Sequence, residues 1–249
     1  MNFIFLTLFP ELIQDNAKYS ILAKAVEKGL VNVHTVNPRD FTNDKHNTVD
    51  DILFGGGSGM LLKPEPWTEA IEHAKNSFPN AKVIALVPEG RLLSTEFAKE
   101  LAAGRQDIIF LCGHYEGFDA RIYDYVGACI SIGEYILTGG ELPALIVLDA
   151  CMRFVPGVLG SYDSAEQDSF GDGLLEGPHY TRPVDYRGRT VPEVLRGGNH
   201  KLIDAWRRKQ SLAKTRMLRP ELLVKAKLQA GDGKLLLEII DEQLGEKNG

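Results

Sequence analysis

Over the first 150 residues, apolar runs alternate with amphipathic stretches. Residues 2–8 (NFIFLTL) are apolar almost throughout, which predicts a first buried strand. Pro10-Glu11 then opens an amphipathic stretch that predicts a helix toward Lys28, stopped by Gly29. β-Branched alternation over 31–36 predicts a second strand. From 37 to 60 the pattern dissolves into polar residues ending in Gly55-Gly56-Gly57-Ser58-Gly59, a loop. A helix is expected over 65–74, then a continuous apolar strand over 82–87 stopped by Pro88-Glu89-Gly90, then a helix over 94–103. Residues 107–112 (DIIFLC) predict another buried strand, ending at Gly113. A short helix over 119–125 leads to a strand over 128–132, and the loop 133–140 leads to a helix over 141–153. Strands alternating with helices, most of them apolar throughout, indicate an α/β fold around a largely parallel sheet covered on both faces.

Past Phe154 the character changes. Residues 161–177 carry five acidic and no basic side chains and show no period, so they predict a mobile linker. The remainder reads as helical, with Trp206 and Leu212 set among many Lys and Arg. The expected organisation is a first domain over 1–160, a linker over 161–177 and a small all-helical domain over 178–249.

Composition adds little: 249 residues, 44% hydrophobic and 25% charged, suit a soluble chain that folds without a disulfide or metal. Cys112, Cys129 and Cys151 form no CxxC pair and sit in apolar runs, so reduced core residues are expected. No apolar stretch spans a bilayer and no charged segment precedes the first apolar run, which predicts a cytoplasmic protein with no membrane partner. Charge changes the picture more. The chain is −6 overall, yet residues 179–228 hold 13 Lys/Arg against four Asp/Glu, a local +9 against −15 elsewhere. That asymmetry marks a polyanion-binding module on an otherwise acidic chain.

Several familiar motifs fail. There is no GxxxxGK[ST], and GxGxxG breaks at Met60. Residues 56–60 do not make a GxSxG elbow. A calcium loop counted from Asp168 meets Phe170 at its third position, and the six histidines show no zinc spacing. The 55–59 run therefore reads as a flexible turn, with a phosphate cradle as the alternative. What remains are three glycine-bearing turns after apolar strands: 88–90, 113–117 and 132–143. In a parallel sheet such turns gather at the carboxyl ends of the strands. Three together, without a nucleotide fingerprint, suggest a ligand held by backbone groups, with glycines permitting close approach.

At these residues the chain resembles the bacterial tRNA (guanine-N1)-methyltransferases of the SPOUT superfamily. The resemblance runs in register through Leu8-Phe9-Pro10-Glu11, Pro38-Arg39-Asp40-Phe41, Thr48-Val49-Asp50-Asp51, the 55–60 run, Cys112–Gly117, the 132–143 turn, Arg153–Gly160, Asp168-Ser169-Phe170, Pro178–Pro183, Gly198-Asn199-His200 and Trp206-Arg207. Ala85 and Val87 stand where a tyrosine and a serine are expected, and His114 where an arginine is common.

The resemblance implies a trefoil-knotted parallel-sheet domain, a homodimer, and S-adenosylmethionine as cofactor. The residues it carries to that cofactor are Leu86, Pro88, Gly113, Tyr115, Glu116, Ile132, Gly133, Glu134, Tyr135, Ile136, Leu137, Gly139, Gly140 and Pro143. It implies methylation at N1 of the guanine immediately 3′ of the anticodon, with Asp168 as base, Arg153 at O6, and Mg²⁺ with Glu116 as candidate ligand. Guanine N1 keeps its proton at neutral pH, so transfer needs a base for that proton and a cation for the charge on O6. Arg182, Arg207 and Lys214 are expected to grip phosphates of the tRNA anticodon stem-loop. Without the resemblance, Asp168 would read as solvated surface and Arg153 as a helix cap. Two other readings compete: a small-molecule enzyme using 55–59 for a phosphate, which leaves the basic region unexplained, and a non-catalytic RNA-binding protein, which leaves the three turns unexplained.

Overall fold

The apolar runs form one sheet. In the computed structural model, which describes residues 1–160 and 168–246, strands β1 (Asn2–Leu6), β2 (Asn32–Val36), β5 (Lys82–Leu92), β6 (Ile108–Leu111) and β7 (Ala128–Ser131) lie in the order β2-β1-β6-β5-β7. Every pairing is parallel, with Leu6 opposite both Val36 and Leu111, and Ala85 opposite both Leu111 and Cys129. Both faces are covered, which is why the inner strands do not alternate with polar residues. Ile4, Leu6, Val83, Ala85, Ile109 and Leu111 pack with Trp67, Ala70 and Ile71 of α3 (Pro64–Ser77). Along the same strands Phe3 and Phe5 point the other way and meet the Phe110 ring. Helices α4 (Thr95–Ala103) and α5 (Glu141–Met152) pack against each other.

Some local expectations change. The helix expected from Pro10 to Lys28 is two helices, α1 (Pro10–Asn16) and α2 (Ser20–Glu27), broken where Ser20 adopts φ 59°. No Gly or Pro marks that break, so periodicity ran straight through it. The strand expected to stop at Pro88-Glu89-Gly90 continues to Leu92: Leu86 and Arg91 both pair with Ile130, and 87–90 bulge out between them. The loop over 37–60 contains a 3-10 turn (Pro38–Phe41) and strand β3 (Asp50–Asp51), which pairs antiparallel with β4 (Leu61–Leu62). The short helix over 119–125 is the 3-10 turn Ala120–Tyr125. Cys112 and Cys151 are buried as expected, whereas Cys129 is only half-buried.

Two compact units divide at Met1–Tyr162 and Asp163–Gly249. The part of the expected linker over 161–167 lies outside the described residues. From Asp168 on, the chain is fastened to the C-terminal unit. Leu174 is buried with Leu212 of α6 (His200–Leu218) and Ile239 of α8 (Asp232–Glu246). The Leu175 N–H donates to Thr215 Oγ1 at 2.8 Å, and the Lys227 N–H donates to the Asp172 carbonyl at 2.8 Å. One apolar residue, Leu174, was enough to anchor a stretch whose composition read as solvated. Between α6 and α8 lies the short helix α7 (Pro220–Leu223). The unit is not all helical: β8 (Asp185–Tyr186) and β9 (Arg189–Thr190) form a small antiparallel hairpin, with Arg187 and Gly188 at positive φ in its turn. Among the described residues no helix is long and apolar enough to cross a membrane.

The C-terminal unit is held by a part-buried charge cluster. Arg208 of α6 bonds Asp232 at 2.6 Å and also pairs with Asp172. That guanidinium holds the Asp232 carboxyl below its ordinary value. A depressed folded pKa means stability that is fully present above the unfolded value of about 3.9 and is lost as pH falls through the folded value. Acid titration followed by circular dichroism should therefore show helix loss beginning below the usual carboxylate range. Arg208→Ala should cost about 1–3 kcal/mol in denaturant melts, because the buried Asp232 carboxylate loses its charged partner while the more exposed Asp172 is screened by solvent. A loss under about 1 kcal/mol would show that the cluster is as weak as a surface pair.

Candidate functional site

The carboxyl ends of β5, β6 and β7 converge on a cavity of about 370 Å³. Its walls come from Leu86–Pro88, from the 113–118 turn, and from 130–140 with Pro143. That is the size and position expected of a small-molecule site in a parallel sheet. All but one of the cofactor-binding candidates named from sequence line it: Leu86, Pro88, Gly113, Tyr115, Glu116, Ile132, Gly133, Tyr135, Ile136, Leu137, Gly139, Gly140 and Pro143. Glu134 does not. Val87, His114, Gly117, Phe118, Ile130, Ser131 and Thr138 also line it. His114, Gly117 and Thr138 lie within the turns singled out from sequence, whereas Val87, Phe118, Ile130 and Ser131 are strand-end or flanking residues that carried no ligand signal of their own. The 55–59 run contributes nothing to this cavity; it connects β3 to β4.

The glycine of the 139–140 pair that matters most to the fold faces protein. A Cβ on Gly140 would lie 2.6 Å from Cys112 Cα and 2.8 Å from the Gly113 nitrogen. The Gly140 N–H donates to the Gly113 carbonyl at 2.8 Å. Its smallness therefore lets the start of α5 pack on the end of β6, a role that close approach to a ligand does not require. Beside it, Glu141 is 3% exposed and accepts from the Thr7 hydroxyl at 2.7 Å and from His114 Nε2 at 2.8 Å. Burial first, and then the Glu141 charge, pushes the Cys112 thiol well above its ordinary value, so it is no nucleophile.

The other candidates sit elsewhere. Arg153 follows α5 as its C-cap and lines a second cavity of about 290 Å³ with Val155, Pro156, Gly157 and Leu159. Asp168 belongs to the C-terminal unit. Arg182 and Arg207 are exposed, but Lys214 is half-buried and donates to the Glu176 carbonyl at 3.0 Å. Among the described residues no group of three or more His, Cys, Asp or Glu could hold a metal ion, so Glu116 lacks companion ligands.

An α/β sheet whose strand ends enclose such a cavity, joined to a unit rich in Lys and Arg, is the build of a cofactor-dependent enzyme with a polyanionic substrate. The sequence matches the family described as tRNA (Guanine-1)-methyltransferase TrmD over residues 1–225. A tRNA (guanine-N(1)-)-methyltransferase of Dehalococcoides mccartyi is 52% identical over 240 residues, covering 96% of each chain. One of Sulfurihydrogenibium sp. is 48% identical, covering 97% of this chain and 94% of its own, and one of Thermosipho melanesiensis is 46% identical, covering 97% and 98%. The chain belongs to this family of tRNA (guanine-N1)-methyltransferases.

Proposed function

We propose that this chain, as a homodimer, transfers a methyl group from S-adenosylmethionine to N1 of the guanine immediately 3′ of the anticodon in tRNA. One observation carries this reading: three turns far apart in sequence wall a single cavity in a chain of this family. The cavity suits the cofactor, with Leu86, Ile130, Ile132, Leu137 and Pro143 as apolar wall and the backbone of the glycine turns as polar partners. When bound, the cofactor supplies an electrophilic methyl on a sulfonium sulfur.

The chain's own residues do the rest. The Asp168 carboxylate takes the N1 proton as the N1 lone pair bonds the methyl carbon and the carbon–sulfur pair leaves on sulfur. The Arg153 guanidinium donates to O6 and steadies the charge that develops there. Glu116 is the side chain that would hold Mg²⁺, and the steps above do not run through the ion.

A dimer is supported by apolar surface. Leu142 (54% exposed) and Ile146 (45% exposed) lie on α5, and Phe9 and Leu12 are exposed at and beside α1, which packs on α5.

The test is methyl incorporation into a tRNA transcript bearing guanine 3′ of the anticodon, with the same transcript bearing adenine there as control. Incorporation into the first alone is expected. Calorimetric binding of ATP in preference to S-adenosylmethionine would favour a phosphate-using enzyme. RNA binding without methyl transfer would favour a binding protein.

For the RNA contacts, the logarithm of tRNA affinity should fall linearly with the logarithm of salt, and Arg207→Ala should flatten that slope by about one unit or less. Lys214→Ala should instead lower the melting temperature, since its ammonium ties Glu176 to α6. An unchanged slope after neutralising Arg182 and Arg207 together would place the RNA elsewhere.

A further inference from the structure

Glu141 is the buried charge that the reaction scheme leaves unused. It opens α5 with 3% of its surface exposed, where a lone carboxylate would be costly. Two side chains compensate it, the Thr7 hydroxyl at 2.7 Å and His114 Nε2 at 2.8 Å, and its place in the first turn of α5 suits a negative charge. An ionised carboxylate only accepts, so His114 keeps a proton on Nε2 and its ring orientation is set. Thr7 is itself fully buried just past β1, and its hydroxyl also accepts the Phe9 N–H at 2.9 Å. Gly139 makes room for the pair: a Cβ there would lie 2.3 Å from His114 Cε1 and 2.7 Å from Glu141 Oε2. His114 also bridges Gly139 through the backbone and lines the cavity.

One side chain thus ties together the end of β1, the 113–117 turn and the 139–141 entry to α5. Two of these three segments are cavity walls. We infer that Glu141 is a positioning residue for the cofactor: acting through His114, it holds the 113–117 turn in register with 139–140 so that both present their backbone groups to one ligand. This rests on reading the cavity as the S-adenosylmethionine site.

The test uses the full chain and S-adenosylmethionine itself. Glu141→Ala and His114→Phe should each weaken calorimetric affinity by about tenfold or more, the scale of a lost charge-assisted hydrogen bond. They should raise KM for the cofactor while leaving kcat at saturation within about threefold and tRNA affinity unchanged. Because the two residues act as a unit, the double variant should lose no more than the worse single one. Thr7→Val should weaken cofactor binding, and Thr7→Ser, which keeps the hydroxyl, should restore it.

A purely structural role predicts a lower melting temperature with unchanged cofactor affinity in the folded protein, and that result overturns the inference. So does a double variant whose loss is the product of the single losses. If Glu141→Ala does not fold, His114→Phe and the Thr7 pair decide on the same criteria. A parent protein that fails to bind S-adenosylmethionine would instead overturn the reading of the cavity.

Discussion

Asp168→Asn is expected to bind S-adenosylmethionine and tRNA almost normally and to lose a factor of about 100–10,000 in turnover, the scale of general-base removal. The substitution is isosteric and keeps an acceptor oxygen, but it removes the basicity that the proposed role of Asp168 requires. Guanine N1 is protonated at neutral pH and its lone pair is unavailable until that proton leaves. Single-turnover methylation with pre-bound tRNA isolates that step from binding and product release. Turnover of Asp168→Asn within a few-fold of the parent would remove Asp168 from the role and leave the cofactor assignment standing.

A heterodimer of two inactive chains is expected to recover about half of the parent activity. One chain carries Asp168→Ala. The other must lose cofactor binding without losing its fold, and Gly140→Val is a poor choice because its Cβ would strike the Cys112 backbone. Leu137→Arg is better: Leu137 lines the cavity yet is 40% exposed, so a long cationic side chain there opposes the cationic cofactor and can remain solvated. The proposal is that the base and the cofactor cavity of each working site come from different subunits. In the mixed dimer one site then receives both lesions and the other receives neither. Differently tagged chains, co-expressed and purified through both tags, supply the species, and methyl incorporation reads it. A verified heterodimer with no recovered activity would show that each site is built within one chain.

Much of the first unit was legible because burial on both faces of a parallel sheet forces continuous apolar strands. The runs over 82–87 and 107–112 could be little else. The turn after 107–112 was legible for a similar local reason and walls the cavity, whereas Pro88-Glu89-Gly90 marks a bulge inside β5 and not its end. Partnerships across the chain were not legible. Glu141 read as an ordinary acidic residue in a first helical turn, since nothing local shows that Thr7 and His114 converge on it. Leu174 read as part of an acidic linker because two adjacent leucines, Leu174 and Leu175, make no period. The break at Ser20 carries no glycine or proline, and only its left-handed backbone reveals it.

By itself, then, the amino-acid order determined the main apolar strands of the first unit, the charge divide near residue 178, and which turns would gather at one end of a parallel sheet. Those are local properties, set by hydrophobic period and backbone preference within about ten residues. Tertiary structure alone decided that Gly140 packs on Cys112, that Lys214 is spent on Glu176, and that Glu141 is buried between Thr7 and His114. Each of these depends on the approach of groups about 27 to 134 residues apart in sequence, which hydrophobic patterning leaves open.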